Sequence, residues 1–418
     1  MNNNFITTRE IAEKWGISDR RVRLLCSEGK IPGVVKEGKS YKIPANASKP
    51  IDGRLSSSDE WLRYLKWDDE IIGIIEPANS VKFIKPNYNE TVKIYTRGEK
   101  SWVGEQFVEF LSERTVSRER RDIERILFRC GLSHFDVLRI AEITRAVHPK
   151  DLLWIANDKS EKLSEIITDV FDSVFHRKRD MAGESIDTPE GYNIKRYGVY
   201  EGQYGIYKQR INPLTTDVES EVAVYLLAKK MGVSCCPACR TDENTVFSTF
   251  LYDFSSEYIV HFRRFFESLR SDNEYQNLLA VRPQFKDDFI RMITLDFITR
   301  QDDRHLSNIA LKIHGQNESF YPLYDNGRSL FYEDTQEIVT KAVSDPALYA
   351  TGFGFSGTYW DYLQEIAEEG ASIKELVNLD ISEKDVIEIL NNARFKGYRF
   401  EGALEWIMKT LDMVQKLA

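Results

Sequence analysis

Cysteine is scarce in this chain: five in 418 residues, at Cys26, Cys130, Cys235, Cys236 and Cys239. An odd and sparse set, with no signal peptide ahead of it, fits a reduced, cytoplasmic setting. Long apolar runs are missing too. None approaches the roughly 18 residues that a membrane span needs. No basic amphipathic stretch marks a membrane surface, so no membrane partner is expected. Internal repeats are absent. Positive charge is in deficit, 57 Lys+Arg against 66 Asp+Glu for a net charge of −9, which argues against a general nucleic-acid binder. Cys235-Cys236-Pro237-Ala238-Cys239 contains one CxxC but has no second pair and no nearby His cluster, so a four-ligand zinc site is not available. These read as buried or half-buried thiols beside a turn.

What is present is the composition of a globular protein with real cores: 42% apolar, with seven Trp, 20 Tyr and 23 Phe. The length allows two or three domains. The charge is uneven. Residues 1–50 hold ten Lys+Arg and five Asp+Glu, a net of +5, which leaves −14 for the remainder. A basic head on an acidic body signals a partner. Within the head, Thr7 or Thr8 caps a helix through Ile11, Ala12 and Trp15, and Gly16 breaks it. Ser18 caps a second helix, Asp19 to Ser27, with Val22, Leu25 and Cys26 inward. Gly29 to Pro44 then reads as a short hairpin carrying Lys36, Lys39 and Lys42. This resembles the winged helix-turn-helix of the excisionase or MerR type. The resemblance implies DNA binding, with Arg20, Arg21 and Arg23 of the second helix toward the major groove and Lys39 of the wing near phosphates. Such heads usually act in pairs, so one head per chain suggests a homodimer or weak binding. A small packing domain with a solvated basic face is the alternative. Residues 44–58, rich in Pro, Ser and Asn, read as a linker.

The most informative stretch is DFITRQDDRHLSNIALKIHGQNESFYPLYDNGRSLF, Asp296 to Phe331. Phe285, Phe289, Met292, Ile293 and Asp296 share one helix face that leads into it. Asp303 and Asn308 stand five apart, as in the catalytic loop of a kinase, and Asp325-Asn326-Gly327 has the Asp-x-Gly form of its metal-binding motif. Ile309 to Ile313, a polar turn from His314 to Ser319, and Phe320 to Tyr324 read as a hairpin that brings Asn308 and Asp325 to one end. Phosphoryl transfer requires such groups: a carboxylate facing the acceptor hydroxyl, and an Asn and a carboxylate for the Mg²⁺ that bridges the phosphates. The order Asp-Arg-His in Asp303-Arg304-His305 resembles the HipA-like serine/threonine kinases and, more distantly, phosphoinositide kinases. The resemblance implies Asp303 as general base, His305 as support for the loop, and Asn308 and Asp325 as metal ligands. Asp296 is expected to brace the loop.

Upstream, Tyr192 to Tyr200 and Tyr204 to Arg210 alternate around Glu201-Gly202-Gln203, a hairpin with Lys208 in its second strand. A helix follows from Asp217 to Gly232. A strand lysine paired with a helix glutamate is the kinase arrangement for holding phosphates. Lys208 and Glu221 fit, with Glu219 as competitor to Glu221. No GxGxxG precedes Lys208. HipA-like kinases have a phosphate loop in this place, which implies Ser185 or Thr188, within Gly183 to Gly191, as a nucleotide contact. Val246 to Phe254 reads as the strand into the hinge. Ile71 to Ile75, Val81 to Ile84 and Thr91 to Tyr95 read as strands, and Glu119 to Phe128 and Ser160 to Phe175 as helices. The run Arg118 to Arg125 reads as a solvated helix face. Four helices complete the chain after Phe331.

The expected fold is α+β: a two-lobed, protein-kinase-like (HipA-like) fold with a small winged helix-turn-helix domain at the N-terminus. The expected divisions are a DNA-binding head at 1–48, an α/β region with a linker at 49–180, a small lobe at 181–280 and a large helical lobe at 281–418. The resemblance implies an ATP- and Mg²⁺-dependent protein serine/threonine kinase, acting on a protein acceptor, as a toxin with an antitoxin partner or as an autoregulated regulator. Two alternatives stand. One is a DNA-binding regulator whose kinase fold senses nucleotide without catalysis. The other is a kinase for lipids or small alcohols.

Overall fold

The computed structural model describes residues 5–15, 19–27, 31, 33–38, 40–45, 47, 63–129, 131–166, 194–254, 256–266, 273–353 and 357–417. The chain divides into two compact units, Met1–Trp61 and Leu62–Ala418.

The first unit holds β1 (Phe5–Thr7), α1 (Thr8–Trp15), α2 (Asp19–Ser27), β2 (Val35–Glu37) and β3 (Ser40–Pro44), with sheet order β1-β3-β2. Its core is Ile11, Ala12, Val22, Leu25, Cys26, Ile31 and Ile43. The apolar positions of α1 and α2 recur at helical spacing, and Ile43 is the buried residue of β3. Strand β1, which pairs Phe5 with Pro44 and Thr7 with Lys42, has no signal in the sequence.

Among its described residues the second unit contains three sheets. The first is five-stranded, in the order β7-β6-β5-β4-β8. It is built from β4 (Arg63–Trp67), β5 (Glu70–Ile75), β6 (Val81–Phe83), β7 (Ser101–Trp102) and β8 (Leu153–Ala156), with α3 (Glu90–Thr96), α4 (Gly104–Ser112), α5 (Ile123–Arg129) and α6 (Val137–Thr144) along the same span. Thr91 to Tyr95, expected as a strand, is helix. Its β-branched residues are overridden by Asn89, whose side chain accepts from Val92 N at 2.8 Å, and by burial of Val92 and Tyr95. The run Arg118 to Arg125 is largely exposed, as expected, but it is helical only from Ile123 on and has one buried member. Arg120 is buried, pairs with Asp122 and donates to the Lys195 carbonyl at 2.9 Å, a partner too distant in sequence for local pattern to show.

The second sheet, β11-β12-β10-β9, comprises β9 (Lys195–Tyr200), β10 (Gln203–Gln209), β11 (Ala238–Arg240) and β12 (Thr245–Thr249). The β9–β10 turn is Glu201-Gly202, with φ of 48° and 78°. Positive φ at both central residues is what a two-residue hairpin turn requires, and glycine takes it without strain. Helix α7 (Asp217–Met231) follows, and Gly232 ends it in the left-handed region at φ 72°. Eleven of its 15 residues are buried, so it runs through the interior.

The third sheet, β13-β14-β15, joins β13 (Glu257–His261), β14 (Ala310–His314) and β15 (Asn317–Phe320). The hairpin after Asn308 is therefore real but tighter than expected. His314 pairs with Asn317 across Gly315-Gln316, so the second strand starts earlier and ends at Phe320. The rest of the unit is helical: α8 (Glu274–Val281), α9 (Lys286–Ile298), α10 (Gln336–Ser344), α11 (Tyr359–Glu368), α12 (Ile373–Leu376), α13 (Glu383–Ala393) and α14 (Gly397–Leu417). Helices α8 and α10 were not legible in the sequence. One apolar core runs from α7 through α9 to α14, with Met231, Phe289, Ile293, Leu363 and Leu411 among its buried members.

Candidate active site

Strand β10 and helix α7 place Lys208 and Glu221 side by side. Lys208 Nζ donates to Glu221 Oε1 and, at 3.1 Å, to Asp325 Oδ1. Glu219, the competitor, is taken by two arginines instead: it accepts from Arg210 at 2.6 and 2.7 Å and from Arg240 at 2.7 Å. A second lysine reaches the same carboxylate, since Lys195 Nζ donates to Asp325 Oδ2 at 2.8 Å. Lys195 stands opposite Lys208 in the β9–β10 register, so both side chains leave the same face. Counting back from the Glu201-Gly202 turn would have found it. Burial alone would raise the Asp325 carboxyl, but the two ammonium groups more than offset that and hold it well below the usual range. Burial alone would likewise discharge Lys208, and Asp325 and Glu221 keep it charged.

The loop after α9 is built around Arg304, which is 1% exposed. Its guanidinium donates to Asp296 at 2.9 and 3.0 Å, to Asn326 Oδ1 at 2.6 Å and to the Tyr324 carbonyl at 2.7 Å. It also reaches the Asn308 carbonyl at 3.3 Å. One planar fork therefore ties the end of α9 to the Asn308 backbone and to both neighbours of Asp325. Asp296 braces the loop, through Arg304. Both side chains are fully buried, and removing either partner from such a pair costs about 3–5 kcal/mol. Gln301, buried and missed in the sequence, accepts from Asp303 N at 3.0 Å and donates to the Asp325 carbonyl at 3.3 Å. Asp325 itself sits at φ 56°, a left-handed conformation for a non-glycine residue.

Asp303, His305 and Asn308 lie on this loop. Asn308 Nδ2 donates to the Asp303 carbonyl at 2.8 Å and meets His305 Nε2 at 3.4 Å. His305 Nδ1 accepts from Ser307 N at 3.2 Å, so His305 is part of the loop's own bonding. Burial, then the charge of Asp325, push the Asp303 carboxyl upward, and Arg328 and His305 oppose this.

These groups face one cavity of about 590 Å³, lined by Lys195, Lys208, Glu221, Asp303, His305, Asn308 and Asp325. Its far wall is apolar and aromatic, with Ile206, Val246, Phe250, Tyr252, Ile259 and Tyr321. A third wall comes from a segment to which the sequence assigned no chemistry, His148-Pro149-Lys150. Ile259 N donates to the Lys150 carbonyl at 3.0 Å and Tyr252 Oη to the Pro149 carbonyl at 3.2 Å. Lys150 Nζ lies 2.5 Å from His261 Nε2, and His261 Nδ1 lies 2.9 Å from Tyr324 Oη. Tyr324 donates onward to the Ser307 carbonyl at 2.8 Å, which assigns the Nδ1 proton to His261 and leaves Nε2 as acceptor. Burial, then the Lys150 charge, hold both His148 and His261 well below the ordinary histidine range.

Cys235 and Cys236 are buried and Cys239 is exposed. Among the described residues no group of three or more His, Cys, Asp and Glu could hold a metal ion unaided. Asn308 and Asp325 nonetheless present hard oxygen donors to the same cavity, the type a Mg²⁺ brought in by phosphates requires. Ser185 and Thr188 lie outside the described residues, as does Lys39, and the Arg21 side chain is likewise not described. Arg20 and Arg23 are exposed on α2, where Arg23 pairs with Asp19 at 2.8 Å.

The chain matches no known family model and no curated protein. Among solved structures it is similar to the proinflammatory kinase CtkA of Helicobacter pylori, at 16% identity and TM-score 0.42, over 53% of this chain and 90% of that one. It is also similar to the Shewanella oneidensis MR-1 toxin–antitoxin HipA, solved with HipB and operator DNA, at 12% identity and TM-score 0.48, over 85% of this chain and 97% of that one. Both scores are below one half and both identities below one quarter, so neither likeness assigns an activity to this chain.

Proposed function

We propose that this chain is an ATP- and Mg²⁺-dependent protein serine/threonine kinase of HipA-like type, joined to a DNA-binding head. The observation that carries the reading is the convergence of Lys208, Glu221, Asp303, Asn308 and Asp325 on one cavity. These are the residues whose spacing matches a kinase, and they come from a strand, a helix and two loops that span over a hundred residues. Lys208, aligned by Glu221, binds nucleotide phosphate oxygens. Lys195 adds a second ammonium at the same end. Asp303 accepts the proton of the acceptor hydroxyl. Asn308 and Asp325 would hold Mg²⁺, which when bound neutralises charge on the phosphates. The apolar wall from Ile206 to Tyr321 suits a base. The acceptor is a Ser or Thr of another protein; the helix-turn-helix resemblance implies a homodimer, and the HipA resemblance implies an antitoxin protein as partner.

The test is intact mass after incubation of the purified chain with Mg²⁺ and ATP, beside Asp303→Asn and Asp325→Ala. Asp303→Asn should slow transfer on the order of 10²–10⁴-fold, the usual contribution of a general base. Asp325→Ala should weaken Mg²⁺-ATP binding as well. Unchanged transfer in Asp303→Asn would remove Asp303 as the base. The double clamp of Lys195 and Lys208 on Asp325 favours a second reading, a regulator that senses nucleotide without transferring phosphate. ATP binding by thermal shift, with no added phosphate on the chain or on a supplied protein acceptor, would decide for it.

A further inference from the structure

Arg328 follows Asp325-Asn326-Gly327 directly, and the kinase assignment gives it no role. Its backbone carbonyl accepts from Asp302 N at 3.1 Å, which fixes the residue against the loop of Asp303. The guanidinium stands between two carboxylates, with Nε 3.3 Å from Asp302 Oδ1 and Nη1 3.5 Å from Asp303 Oδ1. These are ion-pair distances, looser than the 2.7–2.9 Å of a charge-assisted hydrogen bond. Nε is buried and makes no hydrogen bond among the described residues. The fork lies over the Tyr332 ring, 5.3 Å from its centre, and faces the cavity. The other two cations beside the metal-binding carboxylate are committed to Asp325. Among the described residues Arg328 is the guanidinium on the Asp303 side of the cavity.

We propose that Arg328 is a catalytic residue that binds the phosphoryl group in transit between a nucleoside triphosphate and the acceptor. This rests on the phosphotransfer reading above. In the step, the acceptor hydroxyl oxygen attacks the γ-phosphorus and forms the new O–P bond. The bond from that phosphorus to the β–γ bridging oxygen breaks, and the nucleoside diphosphate leaves with its electron pair. The hydroxyl proton passes to Asp303. The attacking oxygen must lie within hydrogen-bond reach of Asp303, so the equatorial phosphoryl oxygens pass close to a guanidinium 3.5 Å from that carboxylate. A planar fork of donors matches phosphoryl oxygens in a way an ammonium does not. Charge supplied where it develops lowers the barrier more than it aids ground-state binding.

The experiment is steady-state phosphotransfer by the full chain and by Arg328→Ala, Arg328→Lys and Arg328→Gln, across pH, with and without added guanidinium ion. Arg328→Ala should lower kcat by about 10²-fold or more even at pH high enough to ionise Asp303 fully, with KM for ATP little changed. Added guanidinium should restore part of the rate, and Arg328→Lys should fall between. Transfer at the wild-type rate, or a loss confined to KM, overturns the assignment. So does a loss that disappears once the pH is high enough to ionise Asp303, since Arg328 would then act only by holding the charge of Asp303. Should Arg328→Ala fail to fold, Arg328→Gln is read the same way. A wild type that transfers no phosphate sinks the kinase reading and this inference together, whereas a wild type that transfers beside fully active variants sinks this inference alone.

Discussion

At the scale of the residue, Asp302 shows how environment decides chemistry. It is the immediate neighbour of Asp303, and its own carboxyl is pushed up to about 6 by burial, against the pull of Arg328. A carboxyl whose value is higher folded than unfolded holds its proton more tightly in the folded state. Its contribution to stability is full below the unfolded value of about 4 and is lost as pH rises through about 6. Asp302→Asn should therefore stabilise the protein above pH 6 and lose that advantage by pH 4. Thermal unfolding at both pH values checks this, and an equal shift at the two would count against it. The residues that spacing singled out, Asp303, Asn308 and Asp325, are those for which the proposed chemistry demands fixed intervals along one loop and hairpin. Arg304 and Gln301 act through contacts to Asp296, Asn326 and the Asp325 backbone. A buried arginine and glutamine have no sequence signature that separates them from surface ones.

At the scale of the element, helix and strand propensities were reliable where burial agreed with them and failed where it did not. The amphipathic run into Asp296 gave α9, and the Glu201-Gly202 turn gave β9 and β10. The β-branched run at Thr91 to Tyr95 misled, because Asn89 caps a helix there. Lys195 was hidden only until the β9–β10 register was counted out. The packing of α14 on α10 gives a direct test of how tightly these elements meet. A Cβ built on Gly402 would approach Val339 Cγ1 to 2.1 Å. Alanine gains up to about 1 kcal/mol of helix propensity over glycine, and overpacking costs about 1–3 kcal/mol. Gly402→Ala should then be destabilising, and adding Val339→Ala should relieve part of the overlap. Urea denaturation of both singles and the double would show the coupling as a non-additive term.

At the scale of the whole molecule, two compact units divide the chain near residue 61. The first is basic, and α2 exposes Arg20 and Arg23. If it reads DNA, the full chain should shift its own upstream DNA in a gel. Arg20→Ala with Arg23→Ala should abolish the shift, or lower the slope of log affinity against log salt by about one for each phosphate no longer neutralised. An unchanged shift in the double variant would remove α2 as the DNA-reading helix. Among the described residues no helix is long and apolar enough to cross a membrane. The second unit is joined to its cavity from several directions. Arg120 holds the carbonyl of Lys195, and Lys150 offers its carbonyl to β13, so loops that flank the first sheet shape both the β13 wall and the Asp325 end of the cavity. Asp325, seated between Lys195 and Lys208, gives that end a set of internal counter-ions. If a metal–nucleotide complex enters there as proposed, its entry would be an ion exchange: the carboxylate would trade two ammonium groups for a divalent cation, and the lysines would trade a carboxylate for phosphate oxygens.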